Sequence, residues 1–196
     1  MMIDTIDNKK SADTKYEIIE AIQDRWSPRA FSDEPVSKEA LMPLFEAARW
    51  AASSYNEQPW RFVVGIKGDA HYDRLFSILN EWNQKWAEGA PVLVLTIAKK
   101  TFSHNGNNNA HAWHDVGAAM ANFSTQATAE GLYVHQMAGI HRHLAVEEFI
   151  SDDDFEVVAM AAVGYLGAPS QLPEDMAKNE KAPRKRKEIE EVVDFA

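Results

Sequence analysis

The sequence of 196 residues contains no cysteine. This absence excludes disulfides, thiolate metal sites and cysteine nucleophiles, and it fits a reducing cytosol. There is also no apolar run near the roughly 18 residues that a membrane-spanning helix needs. The first residues lack the basic-then-apolar order of a signal peptide. We therefore expect a cytoplasmic protein that does not associate with a membrane.

Positive charge is scarce, because 20 Lys and Arg residues stand against 30 Asp and Glu residues, and the formal net charge is −10. Phosphate contacts dominate nucleic-acid binding, so this balance disfavours a nucleic-acid partner. No GxGxxG segment precedes a helix, which argues against a Rossmann-type nicotinamide site. The histidines show no HExxH spacing, so we expect no metal site. A metal held by His111 and His114 is the weaker alternative.

Two arginines, Arg25 and Arg29, lie four residues apart in the segment Arg-Trp-Ser-Pro-Arg-Ala-Phe. In an extended chain they are roughly 13 Å apart at about 3.3 Å per residue. One phosphate group cannot bridge that distance, but an elongated ligand with a phosphate at one end can contact both arginines. The alternative is a solvated loop with two surface arginines.

Two further segments carry polar groups suited to a ligand. Residues 53–60, Ser-Ser-Tyr-Asn-Glu-Gln-Pro-Trp, offer small hydroxyl and amide groups, although the same residues favour an ordinary turn after a helix. Residues 183–187, Pro-Arg-Lys-Arg-Lys, form a dense basic cluster whose alternative role is to solubilise the surface.

The hydrophobic pattern predicts one domain, residues 1–196, that contains both helices and strands. Apolar runs predict strands at 60–66, 91–97 and 156–163, and the second run lacks alternation, so it is expected to be buried on both faces. Residues 168–196 contain few apolar groups, so we expect them to be disordered or to lie across a partner subunit. The first predicted helix starts at the capping box Thr14–Glu17 and ends before Pro28, and the second is capped by Ser37. Three more helices are predicted at about 70–87, 111–129 and 144–150, and Gly131 is the expected C-cap of the helix at 111–129.

Three motifs in this order resemble the FMN-dependent nitroreductase family: Arg25-x-Ser27-x-Arg29-x-Phe31, Ser53-Ser54-x-Asn56-x-Gln58-Pro59-Trp60, and Arg184-x-Arg186. The resemblance covers residues 16–193. It implies an α+β fold with a mainly antiparallel central sheet wrapped by helices. It also implies an intertwined homodimer in which the tail, about 168–196, crosses the partner and FMN lies at the interface.

The resemblance also implies roles for individual residues. Arg25 and Ser27 would bind the phosphate end of FMN, and Arg29 would reach the N1/O2 edge of the flavin ring, where negative charge accumulates on reduction. Arg184 and Arg186 would close over the phosphate. Trp26 and Lys85 are further candidate cofactor-binding residues, although Lys85 is otherwise a surface lysine. Ser53, Ser54, Asn56 and Gln58 are also candidates, and the two serines and Asn56 would come from the other subunit. The last candidates are Gln136, Met137, Ala138 and Gly139, and the backbone amides around Ala138 and Gly139 would face flavin N5 and O4.

The implied activity is that of an FMN-dependent NAD(P)H oxidoreductase. Hydride would pass from NADH or NADPH to flavin N5, and then to a nitroaromatic or quinone-like acceptor in a ping-pong sequence. The flavin carries the chemistry, so no catalytic side chain is expected. Relatives with the same fold fragment flavin, remove halogens, dehydrogenate peptides or bind flavin without turnover, and the motifs do not separate these alternatives.

Overall fold

The structure is a computed structural model, and it describes residues 10–195. Four strands form one sheet in the order β1-β2-β4-β3, and each neighbouring pair is antiparallel. The prediction of helices around a mainly antiparallel sheet is therefore confirmed. In chain order the elements are α1 (Glu20–Asp24), α2 (Lys38–Arg49), β1 (Trp60–Ile66), α3 (Ala70–Ser77), α4 (Glu81–Ala87), β2 (Val92–Lys99), α5 (Ala112–Ala129), β3 (Tyr133–Met137), α6 (Arg142–Phe149), β4 (Phe155–Gly164) and α7 (Glu174–Lys181).

The central strand β2 is buried along almost its whole length, as its unbroken apolar sequence predicts. Leu93 and Leu95 join a core cluster on one face of the sheet. Val92 and Val94 join a second cluster on the other face, where α2 and α5 pack. Because both faces are covered, neither face of this strand needs polar residues.

Two of the predicted helices have the expected ends. Ser37 caps α2, since its side chain accepts a hydrogen bond from the Ala40 backbone N–H. Gly131 follows α5 with a φ of 76°, the left-handed conformation that a glycine adopts at little cost after a helix.

The first predicted helix is wrong in its start. α1 begins only at Glu20, and Thr14–Glu17 forms no capping box. The Ala12 N–H instead donates to the Gln23 carbonyl, and the Ser11 hydroxyl donates to Asp24. Residues 11 and 12 therefore run back along α1, and the chain bends at Lys15 and Tyr16 where the helix was expected to begin.

The single helix predicted at about 70–87 is two helices. Asn80 interrupts it, because its side chain accepts a hydrogen bond from the Asn83 N–H and so caps α4. The preceding Leu79 pairs with Ile140 in an isolated bridge. Strand β3 was also missed by the sequence pattern, which does not alternate there.

The tail is partly ordered on its own chain. Helix α7 lies within it, and Met176 and Glu180 are buried. The expectation of disorder is therefore wrong for this part. No helix within residues 10–195 is long and apolar enough to cross a membrane.

Candidate functional site

The loop with the two arginines is held against the end of the sheet. Phe31 pairs with Leu166 just beyond β4, and the Gly167 N–H donates to the Ala30 carbonyl over 2.9 Å. His135 of β3 contacts the same loop, with its Nδ1 2.8 Å from the Pro28 carbonyl oxygen. A carbonyl only accepts, so Nδ1 carries the proton. Arg25 and Arg29 therefore lie on a fixed backbone.

Three arginines from the two ends of the chain gather at one end of this loop. The pKa of Arg25 is lowered, first by burial and then by the charges of Arg184 and Arg186. The pKa of Arg184 is lowered by burial and by Arg186, against a smaller opposing effect of Asp24. Cations gathered this closely form a site that an anion stabilises. The Arg25 guanidinium also lies 3.5 Å from the Ser27 hydroxyl.

Hydrogen bonds to backbone carbonyls bring Arg184 to this position. Its guanidinium donates to the Gln23 carbonyl over 2.6 Å and to the Lys10 carbonyl over 2.9 Å. Lys10 itself lies over the Trp26 ring, 4.5 Å from the ring centroid, and donates to the Ala182 carbonyl. Trp26 is buried in the core, and Lys10 connects its ring to Arg184.

Arg29 lines a cavity of about 270 Å³ together with Lys85 and Trp86. The Arg29 guanidinium lies 6.0 Å from the Trp86 ring centroid. Its Nε is buried and has no hydrogen-bond partner among the described residues. A buried, unpartnered guanidinium N–H beside a cavity indicates that a ligand acceptor belongs there. Lys85 is exposed, which fits its interpretation as a surface lysine, and it also borders the same cavity.

Strand β3 ends with Gln136, which is exposed, and Met137, which is buried. The Gly139 carbonyl accepts from the Asn80 N–H and from Asn83 Nδ2, over 3.0 and 2.9 Å. A Cβ at Gly139 would lie 2.5 Å from Asn83 Nδ2, so a larger residue here would displace the Asn83 side chain. The Ala138 and Gly139 N–H groups donate to no other described residue.

Residues 53–58 form a strained turn that lines a different cavity from the one beside Arg29. Tyr55, Asn56 and Gln58 all have φ between 52° and 54°. Bulky residues rarely adopt this left-handed region, and such strain is typical of ligand sites. Within the turn, the Gln58 N–H donates to the Ser53 hydroxyl over 3.0 Å.

Bonds to two distant segments hold this turn. The Ser54 N–H donates to Asp115 in the first turn of α5 over 2.9 Å. Burial opposes ionisation of Glu57, but hydrogen bonds from Ser103 and the Lys99 ammonium bring its pKa below the ordinary value.

The structure places the predicted residues in several separate groups. Ser53 and Ser54 line a cavity with His111, His114 and Asp115, and this cavity shares no lining residue with the one beside Arg29. That separation is compatible with the expectation that they contact the cofactor of the other subunit. Between residues 10 and 195, no three His, Asp or Glu side chains converge as a metal site would require. Arg25, Ser27, Arg184 and Arg186 lie together, and Arg29 and Lys85 line one cavity. Gly139 is connected to that cavity through Asn83, which bonds to the Gly139 carbonyl and to Trp86 Nε1. A contact of Gln136, Met137 and Ala138 with the cofactor stays a prediction.

Sequence reasoning missed His135. Its ring lies 4.5 Å from the Trp86 ring centroid. Burial lowers its pKa to about 4, and Arg29 adds to this effect, against hydrogen bonds to the backbone. No motif marks it, because its partners Pro28 and Trp86 are distant in sequence.

The nitroreductase family model matches residues 22–81 and 66–165. The chain belongs to the nitroreductase family. The crystal structure of an oxidoreductase containing FMN is 39% identical and superposes with a TM-score of 0.87, with 92% of each chain covered. An uncharacterized 15.4 kDa protein of Mycolicibacterium smegmatis is 30% identical over 68% of this chain and 93% of its own length. The major NAD(P)H-flavin oxidoreductase of Aliivibrio fischeri is 31% identical over 46% of this chain and 43% of its own length.

Proposed function

We propose that this nitroreductase-family protein is an FMN-dependent NAD(P)H oxidoreductase that reduces nitroaromatic or quinone-like acceptors. One observation carries the proposal: an arginine cluster at one end of a fixed loop and an unpartnered arginine N–H at the other. An elongated molecule with a phosphate at one end and a polar ring edge at the other fits both. The similarity to an FMN-containing oxidoreductase and to an NAD(P)H-flavin oxidoreductase supports the same assignment.

The residues present fit FMN. Arg25, Arg184 and Arg186 would hold the phosphate, with the Ser27 hydroxyl as a further donor. Arg29 would donate from its buried Nε to the flavin N1/O2 edge, and Lys85 borders the same cavity. The free Ala138 and Gly139 N–H groups would donate to the edge that carries N5 and O4.

When bound, FMN supplies a centre at N5 that accepts a hydride from a nicotinamide and passes it to an acceptor. The chain's own contribution is electrostatic. A fixed cation at Arg29 stabilises negative charge at the N1/O2 edge, and it does so without reorganisation because the loop is already held. No side chain is required as nucleophile or general base.

The second subunit completes the site in this proposal. Ser53, Ser54, Asn56 and Gln58 would contact the flavin of the partner, presented by the strained turn that Asp115 and Glu57 hold in place. The last residues of the tail would cross the partner, bringing the exposed Val192 and Phe195 against it.

An anaerobic absorbance experiment tests the activity. Purified protein should be yellow, absorb near 450 nm and lose this absorbance when NADH or NADPH is added. Subsequent addition of a nitroaromatic or quinone should restore it. Protein that binds FMN but is not bleached by either nicotinamide would contradict the reductase activity. Iodinated or brominated phenols in the acceptor panel separate nitro reduction from dehalogenation.

A further inference from the structure

Glu180 is a buried carboxyl group in the tail that the cofactor motifs do not include. It lies in the last turn of α7 and is only 2% exposed. Its Oε1 accepts hydrogen bonds from the Arg29 N–H over 2.8 Å and from the Ala30 N–H over 3.0 Å. Hydrogen bonds to a carboxylate are roughly twice as strong as neutral ones, and burial shields them from competing water.

These two bonds act on the backbone that carries Arg29. The same backbone is held from β3 by His135, at the Pro28 carbonyl, and from beyond β4 by the Gly167 N–H, at the Ala30 carbonyl. Glu180 provides the contacts at the Arg29 N–H itself. The direction of the Arg29 side chain into its cavity therefore depends on α7.

We propose that Glu180 is a positioning residue that connects the C-terminal tail to Arg29 at the flavin-ring end of the site. This inference rests on the proposed FMN-dependent function. Soon after α7 the tail supplies Arg184 and Arg186 at the phosphate end. One tail segment would then set both ends of the site, with its arginines contacting the phosphate and Glu180 fixing the cation at the ring edge.

The variants Glu180→Ala and Glu180→Gln test this role, with Glu174→Ala at an exposed position of the same helix as control. Glu180→Ala should weaken FMN binding to the apoprotein by at least about tenfold, because the Arg29 guanidinium is no longer directed at the ring. It should also speed hydrogen exchange of the Arg29 and Ala30 amides in the apoprotein. Glu180→Gln keeps a side-chain oxygen acceptor, so its FMN affinity and its amide exchange should be close to those of the wild type. Glu174→Ala should change neither the FMN affinity nor the exchange.

A double-mutant cycle separates positioning from a general loss of structure. If Glu180 acts through Arg29, then Glu180→Ala should cause little further loss of FMN affinity in an Arg29→Met background. Additive losses would overturn the positioning role, as would unchanged exchange of the two amides in Glu180→Ala. Should the alanine variant fail to fold, the glutamine variant carries the test: fast exchange of the two amides in Glu180→Gln together with FMN affinity as in the wild type would overturn the role. A wild-type chain that does not bind FMN would overturn the proposed function, and this role with it.

Discussion

The individual residues that define the site are cations, and few protein groups near them offset their positive charge. Burial, and then the charges of Arg184 and Arg186, lower the pKa of Arg25, and Arg29 has a buried N–H without a described partner. A folded protein keeps such groups at a free-energy cost unless a ligand offsets it. Both residues are candidates from the sequence, because their spacing combines with two further motifs into a resemblance to one family.

Replacing Arg25 tests the phosphate end at the scale of one residue. Arg25→Ala should weaken FMN binding by on the order of 1.5–3 kcal/mol, because one charge-assisted hydrogen bond is lost. Flavin fluorescence quenching during titration of the apoprotein measures this. Arg74→Ala, which removes an exposed arginine paired with Glu148 on α3 and α6, is the matched control and should bind normally. Unchanged affinity in Arg25→Ala would remove this residue from the site.

His135 gives a second residue-scale prediction, for stability against pH. Folding lowers its pKa from 6.5 to about 4, so the unfolded chain binds the proton more readily. The stability contributed by the neutral imidazole is therefore fully present above pH 6.5 and is lost as the pH falls towards 4, by up to about 3 kcal/mol.

Urea unfolding at several pH values checks this dependence. His135→Asn should flatten the decline in the free energy of unfolding between pH 6.5 and 4, whereas His71→Gln, at an exposed position in α3, should leave it as in the wild type. An equally steep decline in His135→Asn would show that other groups cause it.

At the scale of elements, the sequence predicts strands better than helix boundaries. Strands β1, β2 and β4 are apolar runs whose burial the sheet requires, and they lie where expected. The apolar stripe over 70–87 is continuous across the break before α4, so hydrophobic spacing alone does not show it. The capping box at Thr14 fails for another reason. A short helix needs tertiary packing, and here the segment at Ala12 pairs with Gln23 instead.

The break at Asn80 is testable through its cap. Asn80→Ala should lower the free energy of unfolding by about 1 kcal/mol, because the first turn of α4 loses its side-chain acceptor. Asn80→Ser retains a capping oxygen and should recover most of that loss in urea unfolding. Equal stability of the alanine variant and the wild type would mean that the cap contributes nothing to the helix start.

The contacts that hold the site could not be read from the sequence. Ser54 bonds to Asp115 across 61 residues, and Glu180 bonds to Arg29 across 151. Such pairs follow from the fold, and neither residue type nor local spacing marks them. The motifs therefore name candidate cofactor-binding residues, and the structure adds the contacts that hold two of their segments in place.

At the scale of the whole molecule, apolar side chains remain exposed at both ends of the chain. Ile19 and Tyr16 near the start are more than half exposed, and so are Val192 and Phe195 near the end. Exposed apolar groups of this kind are typical of an interface. They fit the proposed dimer, in which the serine-containing turn of one subunit reaches the cofactor of the other.

Sedimentation velocity of the FMN-loaded protein, recorded at both 280 and 450 nm, tests the composite site most directly. The account predicts that the flavin absorbance moves in one boundary with protein of twice the 22.1 kDa chain mass. Dilution to the monomer should release the flavin, because each site needs both subunits. Flavin absorbance that never sediments with the protein, or that stays bound to a monomer, would contradict it.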